Sequence, residues 1–344
     1  MSKPVLRFNK DGHFRILSIS DFHGKPDFNP KLTDGIEAIV RRTEPDFVFI
    51  CGDQLCNINE ELLREYLGKV LEPIVSRNIP WAHTFGNHDA EQNMTKEEME
   101  RVYESMPLCL TDKGPDDISG IPNFRLDILA HDSDEPKYRM WSLDSFTSIR
   151  DYIREFGMDP DTKESDFILP VHFGDGHNQA SPMFNQVMWY YNDSKQCEKE
   201  AGRKVPALMF THVPVIEANL LWRNPEQTGF RGWKREDPGT SELNSGLFMA
   251  CLERGDVKAL ICGHEHINVF SGEYLGITLA DDGAMGYDMS CHDDLRGGRV
   301  IDLYENGEFT TRYVKLLDIM GTKAMRRDNF FEGADKYYIR DLHT

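Results

Sequence analysis

The stretch that decides the fold reads Ala259-Leu260-Ile261-Cys262, followed at once by Gly263-His264-Glu265-His266. A short apolar run without polar alternation suits a strand buried on both faces. Two histidines one residue apart, directly after such a strand, need a chemical reason that a plain turn does not supply. The pattern recurs outward along the chain. Arg15-Ile16-Leu17-Ser18-Ile19-Ser20 ends in Asp21-Phe22-His23, and Phe47-Val48-Phe49-Ile50-Cys51 ends in Gly52-Asp53. Ile79-Pro80-Trp81-Ala82-His83-Thr84-Phe85 ends in Gly86-Asn87-His88-Asp89, and Ala207-Leu208-Met209-Phe210 ends in Thr211-His212.

Amphipathic helices separate these runs. Leu32, Ile36, Ile39 and Val40 form one apolar stripe, and Leu63, Tyr66, Leu67, Val70, Leu71 and Ile74 form another. Thr95-x-x-Glu98 is a capping box opening a third helix, with Met99, Val102 and Met106 facing inward. Phe184–Lys199 and Leu243–Arg254 read as later helices, the second closed by Gly255. Strands alternating with helices predict α/β (α+β layered) architecture, in which sites form at the carboxyl ends of strands. All five polar clusters fall there. After His266 the pattern turns to strands alone, over Asn268–Phe270, Gly276–Ala280, Gly298–Tyr304 and Glu308–Leu316, with Asn306-Gly307 as a hairpin turn. A second, partly antiparallel sheet is therefore expected. Residues 1–320 read as a single domain, with surface insertions near 112–136 and 148–182 and a polar tail over 321–344 to which no role is assigned.

Composition limits the function. Lysine and arginine number 39 against 58 aspartates and glutamates, a net charge of −19. Such a surface repels phosphate backbones and anionic membranes, so neither a nucleic-acid nor a membrane partner is expected. A small phosphorylated substrate remains compatible, because buried cations invert the field locally. No apolar stretch is long enough to span a bilayer, and Met1–Arg15 lacks a signal-peptide core. The cysteines are 7, an odd and scattered set that does not read as a disulfide framework. A reduced, cytoplasmic protein is expected.

Singly, each cluster has a bland explanation: Asp21 and His23 as a capped loop, Gly52-Asp53 as turn chemistry, His212 as a satisfied core histidine. Jointly they do not. Asp21, Asp53 and Asn87 bring oxygens and His23, His212, His264 and His266 bring nitrogens to one sheet edge. Mixed oxygen and imidazole ligation suits Fe, Mn or Zn without thiolate. The set is too large for one tetrahedral ion, but fits two if a carboxylate bridges. Two-metal sites hold their ions ~3.5–4 Å apart, clamping both oxygens of a phosphoryl transfer.

Read in order, Asp-x-His, Gly-Asp, Gly-Asn-His-Asp, a lone His and Gly-His-x-His resemble the motif series of the calcineurin-like metallophosphoesterases, over roughly Arg15 to Leu316. Leu143-Asp144-Ser145 and Gln186-x-x-Trp189 resemble that family's mid-chain strand and following helix. Asn78-Ile79-Pro80-Trp81, Thr95-Lys96-Glu97, Asn244-Ser245-Gly246 and Gly255-Asp256-Val257-Lys258-Ala259 resemble a subgroup related to purple acid phosphatases. The chain departs from the purple enzymes at His23, where they have Gly, and at Cys56, where they have a metal-binding Tyr. The resemblance implies a sandwich of two packed mixed β-sheets flanked by helices. It implies one metal held by Asp21, His23, Asp53 and His266, with Asp53 bridging and Asn87, His212 and His264 completing the other. It further implies hydrolysis of phosphate mono- or diesters by in-line attack of hydroxide held between the metals, with His88 protonating the leaving alkoxide and Asp89 orienting His88.

Other features stay outside this set. His83, His172 and His177 read as structural or surface residues. The stretch holding Trp222, Arg223, Arg231, Trp233 and Arg235 reads as a packed loop before a substrate-facing one. Tyr287, Arg296 and Arg299 lie where a substrate could reach. Glu265 between two histidines does not make a zinc-protease helix, since position 268 is Asn268. A non-catalytic scaffold with the same fold, and a metal-dependent hydrolase of other bonds, are the competing functions.

Overall fold

A strand buried on both faces needs a layer on each side, and this chain supplies a second sheet on one side and helices on the other. A computed structural model describes residues 3–91, 93–146, 179–241, 243–289 and 291–325. His172, His177, most of the proposed insertion over 148–182 and the tail beyond 325 lie outside the described residues.

The chain runs β1 (Leu6–Arg7), β2 (His13–Ile19), α1 (Pro30–Thr43), β3 (Phe47–Cys51), α2 (Glu60–Val70), α3 (Glu72–Val75), β4 (Trp81–Thr84) and α4 (Lys96–Ser105). It continues through β5 (Phe124–Leu129), β6 (Pro136–Ser142), α5 (Phe184–Ala201), β7 (Ala207–Phe210), β8 (Arg231–Trp233), α6 (Leu247–Arg254) and β9 (Val257–Cys262). It closes with β10 (Val269–Tyr274), β11 (Ile277–Asp281), β12 (Gly297–Tyr304), β13 (Phe309–Lys315) and α7 (Leu316–Met320). A five-stranded sheet has the order β13-β12-β2-β3-β4, and an eight-stranded sheet the order β1-β5-β6-β7-β9-β11-β10-β8. In the first, β2, β3 and β4 are parallel and β12 lies antiparallel against β2. In the second, β6, β7, β9 and β11 are parallel.

Period-two alternation assigns the faces. Phe47 and Phe49 point between the sheets, where they join Phe14 and Ile16 opposite Tyr138, Met140, Phe210 and Ile261. Val48 and Ile50 point outward to Ile36, Ile39, Leu63 and Leu67 of α1 and α2. On the far side, Trp141, Met209 and Leu260 pack against Val187 and Tyr190 of α5 and Phe248 and Cys251 of α6. The result is four layers, helix–sheet–sheet–helix, with mixed sheets as expected. Among the described residues no helix is long and apolar enough to cross a membrane.

Local chemistry sets the helix ends. The Asn29 side chain accepts the Lys31 N–H before Pro30 opens α1. Thr95 and Glu98 form the reciprocal capping box of α4, with the Thr95 N–H donating to Glu98 Oε2 at 2.9 Å. The stripe expected to run through Ile74 breaks at Leu71, because Pro73 opens a new turn. α6 begins at Leu247, after Gly246 at φ 85°, rather than at Leu243, and Gly255 at φ 67° closes it.

Two sequence expectations require correction. The strands after His266 do not build a sheet of their own. β10 and β11 extend the eight-stranded sheet, while β12 and β13 complete the five-stranded one. The Asn306-Gly307 hairpin does join β12 to β13, with Gly307 at φ 92°. Residues 112–136 are not a surface insertion. They contain β5, which pairs with β6 and buries Phe124 and Ile128 in the inter-sheet core. Arg125 and Asp127 on its other face mask it as polar in the sequence.

The inter-sheet core centres on Phe49, whose ring stacks on Phe210 at 3.9 Å between centroids and 17° between planes. Phe49→Ala should destabilise the chain by about 3–5 kcal/mol, the usual cost of deleting a buried aromatic. Denaturant unfolding checks this, and a loss under about 1 kcal/mol would show that the sheets are not packed through this pair.

Candidate metal centre

The carboxyl ends of β2, β3 and β4 in one sheet and of β7 and β9 in the other meet at one edge. The Asp21 N–H donates to the Gly52 carbonyl at 3.1 Å, and the Gly263 N–H to the His212 carbonyl at 3.0 Å. The His212 Nδ1 faces the Cys51 carbonyl at 2.7 Å, across the sheets. Asp21, His23, Asp53 and His264 all adopt left-handed backbone, with φ of 55°, 46°, 53° and 74°. Such conformations cost roughly 1–3 kcal/mol each and persist where surroundings impose them. A methyl group at Gly86 would stand 2.2 Å from Asp53 Oδ1, and one at Gly52 would stand 2.4 Å from His212 Nδ1. The glycines of these motifs therefore make room for the polar side chains of neighbouring loops.

All seven residues singled out in the sequence converge. His23 Nε2 lies 3.1 Å from His266 Nε2, and Asp21 Oδ1 lies 3.2 Å from His266 Nε2. Asn87 Oδ1 lies 3.1 Å from His212 Nε2 and 2.8 Å from His264 Nδ1. Asp53 Oδ2 stands between the two groups, 3.4 Å from His23 Nε2 and 3.3 Å from His212 Nε2. The atoms of Asp21, His23, Asp53 and His266 lie within 4.8 Å of one another, as do those of Asp53, His212 and His264.

The two carboxylates are each used by half. Asp21 Oδ2 accepts the His264 N–H at 2.9 Å, and Asp53 Oδ1 accepts the His88 N–H at 2.8 Å. Their other oxygens, Asp21 Oδ1 and Asp53 Oδ2, are buried and accept no hydrogen bond from any described residue. Burial pushes the Asp21 carboxyl up, yet the rings of His23 and His266 beside it hold it well below the usual carboxylate range. Burial likewise raises Asp53, and His212 outweighs it. Burial and neighbouring His212 push His264 down to about 3, which keeps its ring neutral with a free lone pair. Burial draws His212 down as well, but Asp53 beside it reverses this and carries it to about 10. A cation held between them would take that proton's place. Bare carboxylate oxygens facing convergent ring nitrogens, with no thiol among them, fit a pair of cations.

Asp89 requires correction. Its carboxylate does not orient His88. Oδ2 accepts the N–H groups of Asp53 at 2.9 Å and Gly86 at 2.7 Å, and Oδ1 those of Gln54 and Leu55 at 2.8 Å each. It braces the loops after β3 and β4 together. The partner of His88 is Glu91, whose Oε2 lies 2.9 Å from Nδ1. The sequence reading missed Glu91, although its position three residues after His88 is an available signal. The His88 side chain is 38% exposed at the mouth, its ring 5.2 Å from that of His23. Cys56 is buried, its thiol pushed up by burial.

Most of the remaining candidates pack within the protein, while Arg223 and Arg231 are exposed. His83 is buried against Glu100 at 3.1 Å and stacks near Tyr103. Tyr287, Arg296 and Arg299 are buried rather than within a substrate's reach. Arg296 lies 4.1 Å over the Tyr287 ring, and Arg299 donates to the carbonyls of Asp281 and Phe270. In the loop after His212, Trp222 packs on Phe270 and Lys315 sits 3.6 Å over Trp233, while Arg235 pairs with Asp294.

The different duties of Asp89 and Glu91 separate by mutation. Asp89→Asn turns an amide toward buried N–H donors, each costing about 1–3 kcal/mol when unsatisfied. It should lower the melting temperature and weaken metal binding. Glu91→Gln should change neither. Thermal unfolding and elemental analysis check both, and a fully stable, metal-replete Asp89→Asn protein would refute the brace.

Comparison with known proteins agrees with this geometry. The family model described as calcineurin-like phosphoesterase matches residues 14–268. The chain is 30% identical to "Probable inactive purple acid phosphatase 14" of Arabidopsis thaliana, over 82% of this chain and 73% of that protein. It is 26% identical to "Phosphatase DCR2" of Saccharomyces cerevisiae, over 76% of this chain and 46% of that protein. Its fold is similar to that of a dimetal phosphatase from Danio rerio, with a TM-score of 0.56 at 14% identity, covering 88% of this chain and 96% of the other. Motif order, sandwich architecture and family match lead to one assignment: the chain belongs to the calcineurin-like phosphoesterase family.

Proposed function

We propose that the chain hydrolyses phosphate mono- or diesters at a centre of two transition-metal ions, Fe, Mn or Zn. The observation that supports this most is Asp53 Oδ2, buried, without a hydrogen bond, and shared between two convergent sets of donors. Asp21, His23, Asp53 and His266 would hold one ion, and Asp53, Asn87, His212 and His264 the other. When bound, such ions supply Lewis acidity to phosphoryl oxygens and to an attacking water. The protein's own part is to fix that geometry. The Cys51 carbonyl holds the His212 ring by Nδ1, leaving Nε2 toward the centre. His88, at the mouth, has Nδ1 engaged by Glu91 and Nε2 available to donate a proton to the departing oxygen.

The substrate fits a small phosphorylated molecule rather than a nucleic acid, given the net charge of −19. Residues 1–320 are read as one domain, since the five-stranded sheet takes strands from both ends of that span. All seven cysteines are free and buried, which fits the reduced, cytoplasmic setting proposed with it. The name of the Arabidopsis relative, which includes "inactive", favours a second reading, a non-catalytic scaffold with this fold. Against it stands a complete ligand set with His88 beside it. A screen of phosphomonoesters, phosphodiesters and nucleotides with metal-reconstituted protein decides between them.

Two outcomes are expected. Elemental analysis should find two transition-metal ions per chain, and Asp53→Asn should weaken both because it serves both groups. No more than one ion after reconstitution would remove the two-ion centre. His88→Asn should keep its metals and lose ~10²–10⁴-fold in turnover on alkyl phosphates. It should lose clearly less on nitrophenyl phosphates, whose leaving group needs no proton. An equal loss on every ester, with full metal, would leave His88 stabilising charge rather than giving a proton.

A further inference from the structure

Glu265 stands between the two histidines of the Gly-His-Glu-His loop and has no part in the chemistry above. Its residue is 2% exposed, so its carboxylate must be satisfied by the protein. Oε1 accepts the Gly239 N–H at 2.7 Å, and Oε2 accepts from Asn268 Nδ2. Asn268 Oδ1 accepts the N–H groups of Arg235 at 2.7 Å and Glu236 at 3.1 Å. Asn268 Nδ2 also donates to the Glu236 carbonyl at 3.2 Å. The strap Arg235–Gly239 is thus hydrogen-bonded at both ends to side chains of the histidine loop.

The Gly239 end of the strap lies against His264. A methyl group at Gly239 would stand 2.6 Å from His264 Nε2 and 2.9 Å from Cδ2. The outer edge of that imidazole therefore abuts peptide backbone, while its Nδ1 faces Asn87 Oδ1 at 2.8 Å. His264 itself sits at φ 74°, outside regular structure, so its ring takes its orientation from what surrounds it.

We propose that Glu265 is a positioning residue: by anchoring Gly239 it backs the His264 ring and holds Nδ1 toward Asn87 and Asp53. The metal-binding consequence rests on the two-ion reading above. Partners of this kind typically change metal affinity about 10–100-fold. Calorimetric titration of the metal-stripped full chain with Mn²⁺ or Zn²⁺ should give two ions for the native protein. Glu265→Ala should keep one ion tight and weaken the other by about 10–100-fold. Glu265→Gln, which keeps an acceptor for Gly239, should restore most of that loss. Gly239→Ala should reproduce the single-site loss without unpairing a buried carboxylate, which guards against a Glu265→Ala chain that fails to fold. A readout independent of metal is the nuclear Overhauser contact between the Gly239 Hα and the His264 ring protons. It should be present in the native and Glu265→Gln proteins and lost in Glu265→Ala. A folded Glu265→Ala protein with that contact intact and two ions at native affinity would overturn the inference. A native chain binding fewer than two ions would overturn the two-ion centre instead, and the contact would still decide whether Glu265 holds His264.

Discussion

The site depends on two buried carboxylates, Asp21 and Asp53, that the protein leaves half satisfied. Each spends one oxygen on a backbone N–H of a neighbouring loop, His264 for Asp21 and His88 for Asp53. That bond ties the loops together and sets the direction of the second oxygen. A bare carboxylate oxygen away from water is costly, and the protein tolerates it only because imidazoles surround it. The same bonds that build the scaffold therefore leave a concentrated negative charge at one point. Asp89 secures the arrangement from behind, with four backbone N–H groups on its two oxygens.

Much of this was legible because it is local. Short apolar runs ending in Asp, His or Asn mark strands whose ends carry the candidate ligands, and every such run marked in the sequence is a strand. Helix ends with side-chain signals, such as Thr95 with Glu98 and the stop at Gly255, were equally readable. What sequence could not show depends on partners distant in the chain. β5 turns Arg125 and Asp127 away from the inter-sheet core, where Arg125 pairs with Asp193 of α5, so its buried Phe124 and Ile128 read as a polar loop. Tyr287, Arg296 and Arg299 follow the last histidine, where a substrate could reach. They are buried because Arg299 finds backbone carbonyls and Arg296 finds an aromatic face, neither of which sequence proximity reveals. Asp89 misled for a related reason. An acidic residue beside a candidate catalytic histidine suggests a pair, but the loop turns its carboxylate to the backbone and Glu91 takes the histidine instead.

The glycines carry a similar lesson. Gly52 and Gly86 look like turn residues in the sequence. Their places are also fixed by crowding, since the ring of His212 and the carboxylate of Asp53 occupy the space a side chain would need. Motif glycines here record how closely loops from two sheets approach to bring their polar side chains together.

The pairing of β12 with β2 has a consequence for the order of events in folding. Ile16 pairs with Ile301, and the carbonyls of Ser20 and Asp21 accept N–H groups from Met285 and Gly286. The Asp21–His23 segment is thus locked by residues far later in the chain. Until β12 pairs with β2, the loop carrying Asp21 and His23 lacks these bonds. Contacts this remote in sequence slow folding, because the loop must close before the pairing rewards it. The loop that carries Asp21 and His23 is therefore set by a long-range contact and not by its own sequence alone.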